Sequence, residues 1–432
     1  MRRPWLLPVL AVAGAIAIAG IAIVHNRPEP VPDHPRLRNL SIVPTGSGRS
    51  AQYLVQDPEL LGGDAVVLNA SSAQLVPLLD GKRTTAEIAA EIVRRTGEEA
   101  ARGAVVTLIE KLHDSFLLEG PRFIRRLTQV RDEWSRFPVR PLAAAASMYS
   151  ASESGLRLSL GKLQDQAAKN WPRGLPEGSP RGIVIPHVEV DRGGAVEATA
   201  AYAFARGKPP AVIVLLAPAH GDCPEPLAFL PQDYATPLGI VATNLEVRTR
   251  LTHAYGKHAF DAAFAHRREH SIEVPLLFLQ SALSGSPFQI VPVLCSRASL
   301  GAGASRDPRV TAFVSELRAL ATEKGPDLAI VASAGLTYAG RRFGDTAPPD
   351  RKRADEIRRS DLALLRTALA GDAAGVRALA RPMAESSRAC GDAPIVLLLE
   401  IFPGRTGRLL AYEQSPDSAT GSLFTYAAAG YW

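Results

Sequence analysis

The chain contains few cysteines, and no spacing pairs them. Only three occur in 432 residues, and they stand far apart at Cys223, Cys295 and Cys390. Small disulfide-based scaffolds need an even number of cysteines in a short secreted chain, so that class of fold is not expected. The thiols are therefore available for other roles, including metal ligation.

A nucleic-acid signature is also missing. Charged residues make up only 21% of the chain, and the formal net charge of +6 is spread thinly along it. No basic segment is interleaved with aromatic residues, as a nucleic-acid footprint would require. The excess of basic residues therefore predicts a solvated surface, and no nucleic-acid partner is expected.

The N-terminus carries one long apolar run. Residues 5–24 are uncharged and follow Arg2 and Arg3. About 20 apolar residues suffice for a helix to cross the hydrocarbon layer, so residues 1–26 are predicted to form a single-pass membrane anchor, with the rest of the chain extracytoplasmic. A cleaved signal peptide is the alternative. Residues 27–50 hold five prolines and are predicted to form a semi-extended tether.

The remaining length predicts two domains, a main one of about 250–300 residues and a smaller one. Residues 51–124 form the smaller region, with helical patterning. Thr84 and Glu87 have the spacing of a capping box, in which each side chain accepts a hydrogen bond from the backbone amide of the other residue. Apolar residues then recur on one face of each of two predicted helices, at Ile88 and Ile92 and at Leu108, Ile109 and Leu112.

Residues 138–432 alternate between strand and helix patterns. Short β-branched runs predict strands at 182–186, 211–216, 289–294 and 328–332, and helical patterning covers 195–206 and 310–322. Such alternation predicts an α/β fold with a mixed or parallel sheet flanked by helices. In these sheets, ligands bind beyond the carboxyl ends of the strands.

Histidines cluster at that predicted edge. Six of the nine histidines lie between residues 187 and 270, and His187 and His220 each follow a predicted strand. Imidazole and thiolate are ligands for transition metals. The sequence therefore predicts one metal site built from His187, His220, His270 and Cys390. The alternative at each position is a hydrogen-bonded pocket residue or a buried thiol without metal.

Further polar residues flank these four. If a helix continues from His270, Glu273 lies over the same face, so the two are predicted to act together as a catalytic pair or as ligand and partner. Asp191 and Arg192 are expected either to bind a substrate carboxylate or to brace the loop that carries His187. Four other candidates are assigned mainly to structural or solvated positions: His253, His258, His266 and Cys223.

Several motifs in the large region occur in the order of a known family. They are Pro186-His187, Asp191-Arg192-Gly193-Gly194, Ala217-Pro218-Ala219-His220-Gly221, Tyr234-Ala235-Thr236-Pro237-Leu238-Gly239, Glu269-His270-Ser271-Ile272-Glu273-Val274, Val291-Pro292-Val293 and Cys390-Gly391-Asp392-Ala393-Pro394-Ile395. With Arg140-Pro141 and Tyr149, they resemble the Memo-like family, called AmmeMemoRadiSam system protein B in bacteria. The resemblance covers about residues 138–432.

The resemblance implies a fold similar to the class III extradiol non-haem iron dioxygenases. It also implies a site at His187, His220, His270 and Cys390 that holds iron or copper, with zinc less expected. Two positions differ from the family pattern. Arg267 stands where an acid is common, and the segment 333–337 lacks the usual acid and imidazole.

The small region has a resemblance of its own. Residues 78–84, with Asp80-Gly81, and residues 117–120 are similar to the PqqD-like winged-helix family. This similarity implies a module that binds a peptide or a protein partner. The alternative is a three-helix packing domain without a ligand.

Three functional classes follow from these observations. The retained histidines and cysteine favour an iron- or copper-dependent oxidoreductase. A zinc-type hydrolase with Glu273 as the base is a second class, and a non-catalytic peptide- or protein-binding protein is the third. The altered segment 333–337 favours this last class.

Overall fold

The computed structural model describes residues 29–45, 52–57, 59–301, 306–386 and 390–432. The chain divides into two compact units, Met1–Gln129 and Val130–Trp432. The apolar run 5–24, and with it the predicted anchor 1–26, lies outside the described residues. Among the residues that are described, no helix combines the length and the apolarity needed to cross a membrane.

The small unit combines an antiparallel sheet with helices. Its strands pair in the order β1-β2-β3 and cover Ser41–Thr45 (β1), Gln52–Gln56 (β2) and Val66–Asn69 (β3). Two helices follow them in the chain, Thr85–Thr96 (α1) and Ala101–Asp114 (α2), and a third, Pro121–Ser135 (α3), continues past Gln129 into the second unit. The sequence predicted α1 and α2 but neither α3 nor the strands, which are only four or five residues long.

The start of α1 confirms the predicted capping box. The Thr84 hydroxyl accepts a hydrogen bond from the Glu87 amide at 3.2 Å, and the Glu87 carboxylate accepts one from the Thr84 amide at 2.8 Å. These two bonds satisfy donors that a helix N-terminus otherwise leaves unpaired. Ile88 and Ile92 then face the core of this unit, together with Ile109 and Leu112 of α2.

Within residues 29–45, the predicted tether is corrected. The backbone amide of Leu37 donates to Leu79, and that of Arg38 donates to Leu117, at 3.0 and 3.1 Å. Leu37 and Leu40 pack against the core of the small unit. The prolines of this segment exclude a helix. Its extended backbone instead donates hydrogen bonds to the rest of the unit, and its apolar side chains pack against the core. The segment is therefore part of the small unit.

The large unit contains both long helices and a large sheet. Its strands are Val139–Arg140 (β4), Gly182–Ile185 (β5), Val212–Pro218 (β6), Leu227–Phe229 (β7), Asp233–Thr236 (β8), Gly239–Val241 (β9), Gln289–Cys295 (β10), Leu328–Ser333 (β11), Gly335–Gly340 (β12), Gly407–Asp417 (β13) and Ser422–Tyr431 (β14). Its helices are Glu153–Lys169 (α4), Val190–Ala205 (α5), Leu245–Tyr255 (α6), Glu273–Ala282 (α7), Pro308–Lys324 (α8), Arg351–Leu369 (α9), Ala373–Ser386 (α10) and Asp392–Ile401 (α11).

The main sheet is mixed, with a parallel centre. Its described strands follow the order β12-β14-β5-β11-β6-β10-β7, and β13 pairs with β14. Strands β5, β11, β6 and β10 run parallel, while β7 and β14 pair antiparallel at either side. The four parallel strands are the four that their apolar runs predicted. Parallel strands are buried on both faces, which explains why these runs are continuously apolar rather than alternating.

Helices cover both faces of this sheet. Alternate residues of each central strand point to opposite sides, so that Ile213 and Leu215 of β6 enter one core while Val214 and Leu216 enter the other. Helices α5 and α7 line the first core, and α8 and α11 line the second. The α/β architecture with a mixed sheet flanked by helices is therefore confirmed.

A buried carboxyl group lies in α5, close to the loop that carries His187. The Glu197 side chain is fully buried, and its Oε1 accepts a hydrogen bond from the Val188 amide at 2.9 Å. Burial raises the pKa of Glu197 well above its ordinary value, although the Val188 hydrogen bond opposes this. The folded protein therefore keeps a proton on this group at pH values where the unfolded chain releases it.

Glu197→Gln is expected to stabilise the protein at about pH 8 and to have little effect at about pH 4.5. Above the unfolded pKa, folding must take up a proton, so the stability of the natural protein falls by about 1.4 kcal/mol per pH unit until the folded pKa is reached. Glutamine does not ionise, so the free energy of unfolding of the Glu197→Gln variant does not fall with pH for this reason. Thermal melts across this pH range measure the difference, with the exposed Glu177→Gln as the control. A stability difference between Glu197→Gln and the natural protein that does not increase with pH would contradict the expectation.

Candidate metal centre

Three imidazoles converge beyond the carboxyl ends of adjacent parallel strands. His187 lies two residues after β5, and His220 lies two residues after β6; β11 lies between these strands. His270 comes from the loop before α7. The ring centroid of His187 is 5.2 Å from that of His220 and 5.6 Å from that of His270. The His220 and His270 rings are stacked, with their centroids 4.6 Å apart. The structure therefore brings these three predicted residues together.

Cys390 joins the same group from the start of α11. Its sulfur lies 3.4 Å from Nε2 of His187. Two glycines permit this approach. A Cβ atom on Gly391 would lie 2.5 Å from the Gly335 carbonyl oxygen, and one on Gly335 would lie 3.0 Å from the Cys390 sulfur. Side chains at either position would push α11 away from the turn between β11 and β12.

Glu269 holds one side of this histidine group. Its side chain is buried, and it accepts hydrogen bonds from Nδ1 and the backbone amide of His220, both at 2.8 Å. It also accepts from the amides of His270 and Ser271 at 2.9 and 3.0 Å. A carboxylate on Nδ1 leaves Nε2 of His220 free to coordinate, which is the usual arrangement behind metal-binding histidines.

His220 and Glu269 form an ion pair. Burial lowers the pKa of His220, but the Glu269 carboxylate outweighs burial and raises this pKa well above its ordinary value. Burial raises the pKa of Glu269, and the charge and hydrogen bonds of His220 reverse this, so that it lies well below its ordinary value. A metal ion that binds Nε2 of His220 therefore displaces a proton.

The other two histidines are neutral at physiological pH. Burial lowers the pKa of His187 well below its ordinary value, and the neighbouring histidines lower it further. Burial also lowers the pKa of His270, to about 4, against the opposing charge of Glu269. Neutral imidazole is the form that binds metal ions.

The donor atoms form two overlapping groups. Ligand atoms of His187, His220 and Cys390 all lie within 4.8 Å of one another, and so do those of His220, Glu269 and His270. In a tetrahedral site with bonds of about 2.0 and 2.3 Å, nitrogen and sulfur ligands stand about 3.5 Å apart. The 3.4 Å between His187 and Cys390 fits this separation. The first group therefore has the chemistry and spacing of a metal site, with His270 beside it.

The predicted pairing of Glu273 with His270 is corrected. Helix α7 begins at Glu273, and the carboxylate of this residue is fully buried away from the imidazoles. It accepts hydrogen bonds from Arg140, from Tyr149 and from the amides of Ala143 and Ala144. The acid beside the histidines is Glu269 instead. It directly precedes His270 in the sequence, but no periodicity distinguished it from the other acids.

The sequence model of the family described as Memo-like protein matches residues 140–430, which is well over half of the chain. The chain belongs to the Memo-like family. Residues 52–118 match the sequence model of coenzyme PQQ synthesis protein D (PqqD). Both resemblances noted from the sequence motifs are thus confirmed.

Several MEMO1 family proteins are similar to this Memo-like protein over most of their own length. A MEMO1 family protein of Thermus thermophilus is 28% identical over 338 residues, which cover 78% of this chain and 96% of that protein. One from Aquifex aeolicus is 23% identical over 396 residues, covering 91% and 98%. One from Sulfolobus acidocaldarius is 28% identical over 293 residues, covering 65% and 94%.

Two residues predicted to bind substrate lie on α5 of the Memo-like region. Asp191 is exposed. The Arg192 guanidinium pairs with Glu189 and Asp417, each at 3.1 Å, and lies over the Phe424 ring at 4.2 Å. These contacts favour the bracing role of Arg192 over the binding of a substrate carboxylate, which stays a prediction.

The remaining histidines and Cys223 lie elsewhere. His266 is a buried core residue whose Nε2 bonds to the Ala228 carbonyl at 2.9 Å, so it does not approach the site. His253 is exposed on α6, and His258 pairs with Asp261 at 2.7 Å. Cys223 donates to the Glu225 carbonyl, and burial raises the pKa of its thiol to about 11.

The altered segment 333–337 lies directly against the site. Ala334 packs beside Gly391, at the position of the acid usual in the family. Thr337, at the position of the usual imidazole, donates instead to the buried Asp361 at 2.7 Å. The hydroxyl of the next residue, Tyr338, lies on the same side of Gly335 as the Cys390 sulfur, since both atoms would crowd a Cβ atom placed on that glycine. The segment 333–337 therefore brings neither an acid nor an imidazole of its own to the donor atoms.

Proposed function

We propose that this Memo-like protein binds iron or copper through His187, His220 and Cys390 and acts as a metal-dependent oxidoreductase, with a fold similar to the class III extradiol dioxygenases. One observation carries the proposal. Two imidazole nitrogens and one sulfur, from three separate segments, lie within 4.8 Å of one another. Such convergence is hard to explain by packing alone, because histidine is buried less often than apolar residues and its ring nitrogens cost free energy when they are buried without partners.

The donor types support iron or copper. Imidazole and thiolate select transition metals over magnesium or calcium, which prefer oxygen ligands. Three protein ligands leave a position free for a further ligand, as catalytic sites do. When bound, iron or copper supplies one-electron chemistry with oxygen. Zinc fits the same donors but supplies no redox chemistry.

Residues around the donor atoms orient the ligands and determine from which side the site can be reached. Glu269 holds His220 through Nδ1 and orders the loop that carries His270. His187 is buried, so water does not reach the inner side of the site, whereas the side chains of His220 and His270 are 33% and 30% exposed. Substrate therefore approaches from the His220 and His270 side, and His270 is the residue best placed to contact it.

A non-catalytic binding protein is the second candidate. The changes at Ala334 and Thr337 favour it, because they remove an acid and an imidazole from beside the site. The match of residues 52–118 to PqqD supports a peptide or protein partner for the small unit. A zinc-type hydrolase has less support, because the carboxylate of Glu273 is occupied by Arg140, Tyr149 and two amides.

Metal analysis of the purified full-length protein, followed by an oxygen-consumption assay, separates these candidates. Stoichiometric iron or copper with oxygen uptake supports the oxidoreductase. Bound metal without oxygen uptake, under any reductant and candidate substrate, favours the binding protein. Protein that takes up no metal from a buffered Fe(II) or Cu(I) solution would refute the metal site.

Cys390→Ser is expected to weaken Cu(I) binding at least about tenfold more than Fe(II) binding. Soft thiolate ligands select Cu(I), so replacing sulfur with oxygen removes the match for copper more than for iron. Chelator competition measures both affinities. Cys223→Ser is the matched control, because its sulfur bonds to a backbone carbonyl outside the donor group. Equal losses for the two metals would count against a thiolate ligand.

A further inference from the structure

One serine lies between the two coordinating histidines. Ser333 is the last residue of β11, the strand between β5 and β6, and it is fully buried. Its hydroxyl makes two hydrogen bonds, one with Nδ1 of His187 at 2.8 Å and one with the Ser271 carbonyl oxygen at 2.6 Å. It therefore links the histidine that follows β5 to the segment that follows His270.

The direction of both bonds follows from the atoms involved. A hydroxyl has a single proton to donate, and a carbonyl oxygen can only accept. The proton of Ser333 therefore points to Ser271, and its oxygen lone pair must accept from Nδ1 of His187. That nitrogen carries the ring proton. The only nitrogen of His187 left for coordination is Nε2, which faces the Cys390 sulfur at 3.4 Å.

This arrangement differs from the one behind His220. There the Glu269 carboxylate accepts from Nδ1, and a carboxylate accepts strongly from any donor. A hydroxyl can also rotate and donate, so by itself it would permit either proton position on the imidazole ring. The Ser271 carbonyl removes that freedom, because it occupies the one hydroxyl proton.

We propose that Ser333 is a positioning residue that holds His187 with its proton on Nδ1 and thereby aims Nε2 at the metal. The inference rests on the proposed metal site. Without the hydroxyl, the buried Nδ1 proton loses its acceptor, and the imidazole can place its proton on Nε2, where it blocks coordination. Loss of a group that orients a metal-binding histidine typically weakens metal affinity about 10- to 100-fold.

The first test is the proton position in the natural protein. Full-length protein with 15N-labelled histidine, stripped of metal by a chelator, is recorded by long-range proton–nitrogen NMR, and His187 is assigned by difference from His187→Gln. The expected pattern has a protonated Nδ1 and an unprotonated Nε2. A proton on Nε2 would overturn the proposal without recourse to any Ser333 variant.

The second test is metal affinity. Co(II) binding to Ser333→Ala is expected to be about 10- to 100-fold weaker than to the natural protein, and Ser333→Thr, which keeps the hydroxyl, is expected to restore it. Ser299→Ala is the matched control, because Ser299 is equally buried and its hydroxyl donates to the Ser296 carbonyl at 2.7 Å without a histidine partner. A similar loss in Ser299→Ala would assign the effect to folding and overturn the proposal.

Different results would refute the role of Ser333 and the proposed metal site. If the natural protein and Ser333→Ala bind Co(II) equally well, the role of Ser333 is refuted and the metal site stands. If the natural protein binds no Co(II), Fe(II) or Cu(I), the metal site is refuted and the role of Ser333 falls with it.

Discussion

His187→Ala and His220→Ala are each expected to weaken metal binding by more than about 100-fold, because even the loss of a group that merely orients a ligand costs about 10- to 100-fold. Each substitution removes one of three donor atoms that lie within 4.8 Å of one another. Purified variants should therefore carry far less than stoichiometric metal. Elemental analysis after dialysis against a weak chelator measures the occupancy.

The control for this expectation is another histidine. His253 is exposed on α6, so His253→Ala should retain the full metal content. Melting temperatures of the variants show whether each is folded. Stoichiometric metal in the double variant His187→Ala/His220→Ala would defeat the proposed site, because only one of its three donor atoms, the Cys390 sulfur, would remain.

Glu273→Ala is expected to lower the free energy of unfolding by about 3–5 kcal/mol. The substitution leaves the fully buried guanidinium of Arg140 without its carboxylate partner. It also removes the acceptor for the Tyr149 hydroxyl and for the amides of Ala143 and Ala144. Arg140 donates as well to the carbonyls of His266 and Glu269, at 2.9 and 2.5 Å, so the loop that leads to the metal centre should loosen too.

Urea unfolding followed by tryptophan fluorescence measures this loss in the large unit, which contains Trp134, Trp171 and Trp432. The control is Glu153→Ala, which breaks an exposed pair with Arg157 and should change stability by less than about 1 kcal/mol. Replacing both members of the buried pair, as in Arg140→Met/Glu273→Leu, should recover much of the stability, since no unpaired charge remains. An unchanged unfolding midpoint in Glu273→Ala would show that the pair does not stabilise the fold.

The architecture was predictable where side-chain patterns are strong. The apolar runs at 182–186, 211–216, 289–294 and 328–332 predicted the four parallel strands, because a strand buried on both faces must be apolar throughout. The edge strand β13 was missed, since most of its residues are partly solvated and mixed in character. The strands of the small unit were missed for the same reason.

The candidate site was predictable in its donors but not in their partners. His187, His220, His270 and Cys390 stand out because imidazole and thiol groups are rare and reactive. Acids and serines are common, so Glu269 and Ser333 could not be chosen over Glu273 by spacing. The error at Glu273 arose from extending α7 back to His270, whereas the helix begins three residues later.

The amino-acid sequence by itself determined the α/β class, the family and the donor atoms, because these depend on local periodicity and on the chemistry of single side chains. Only the tertiary structure decided which acid faces the histidines, which nitrogen of His187 faces the Cys390 sulfur, and that Arg140 and Glu273 form a buried pair. Those outcomes depend on distances between segments as far apart as residues 187 and 390, and such distances arise only when the sheet and its helices pack together.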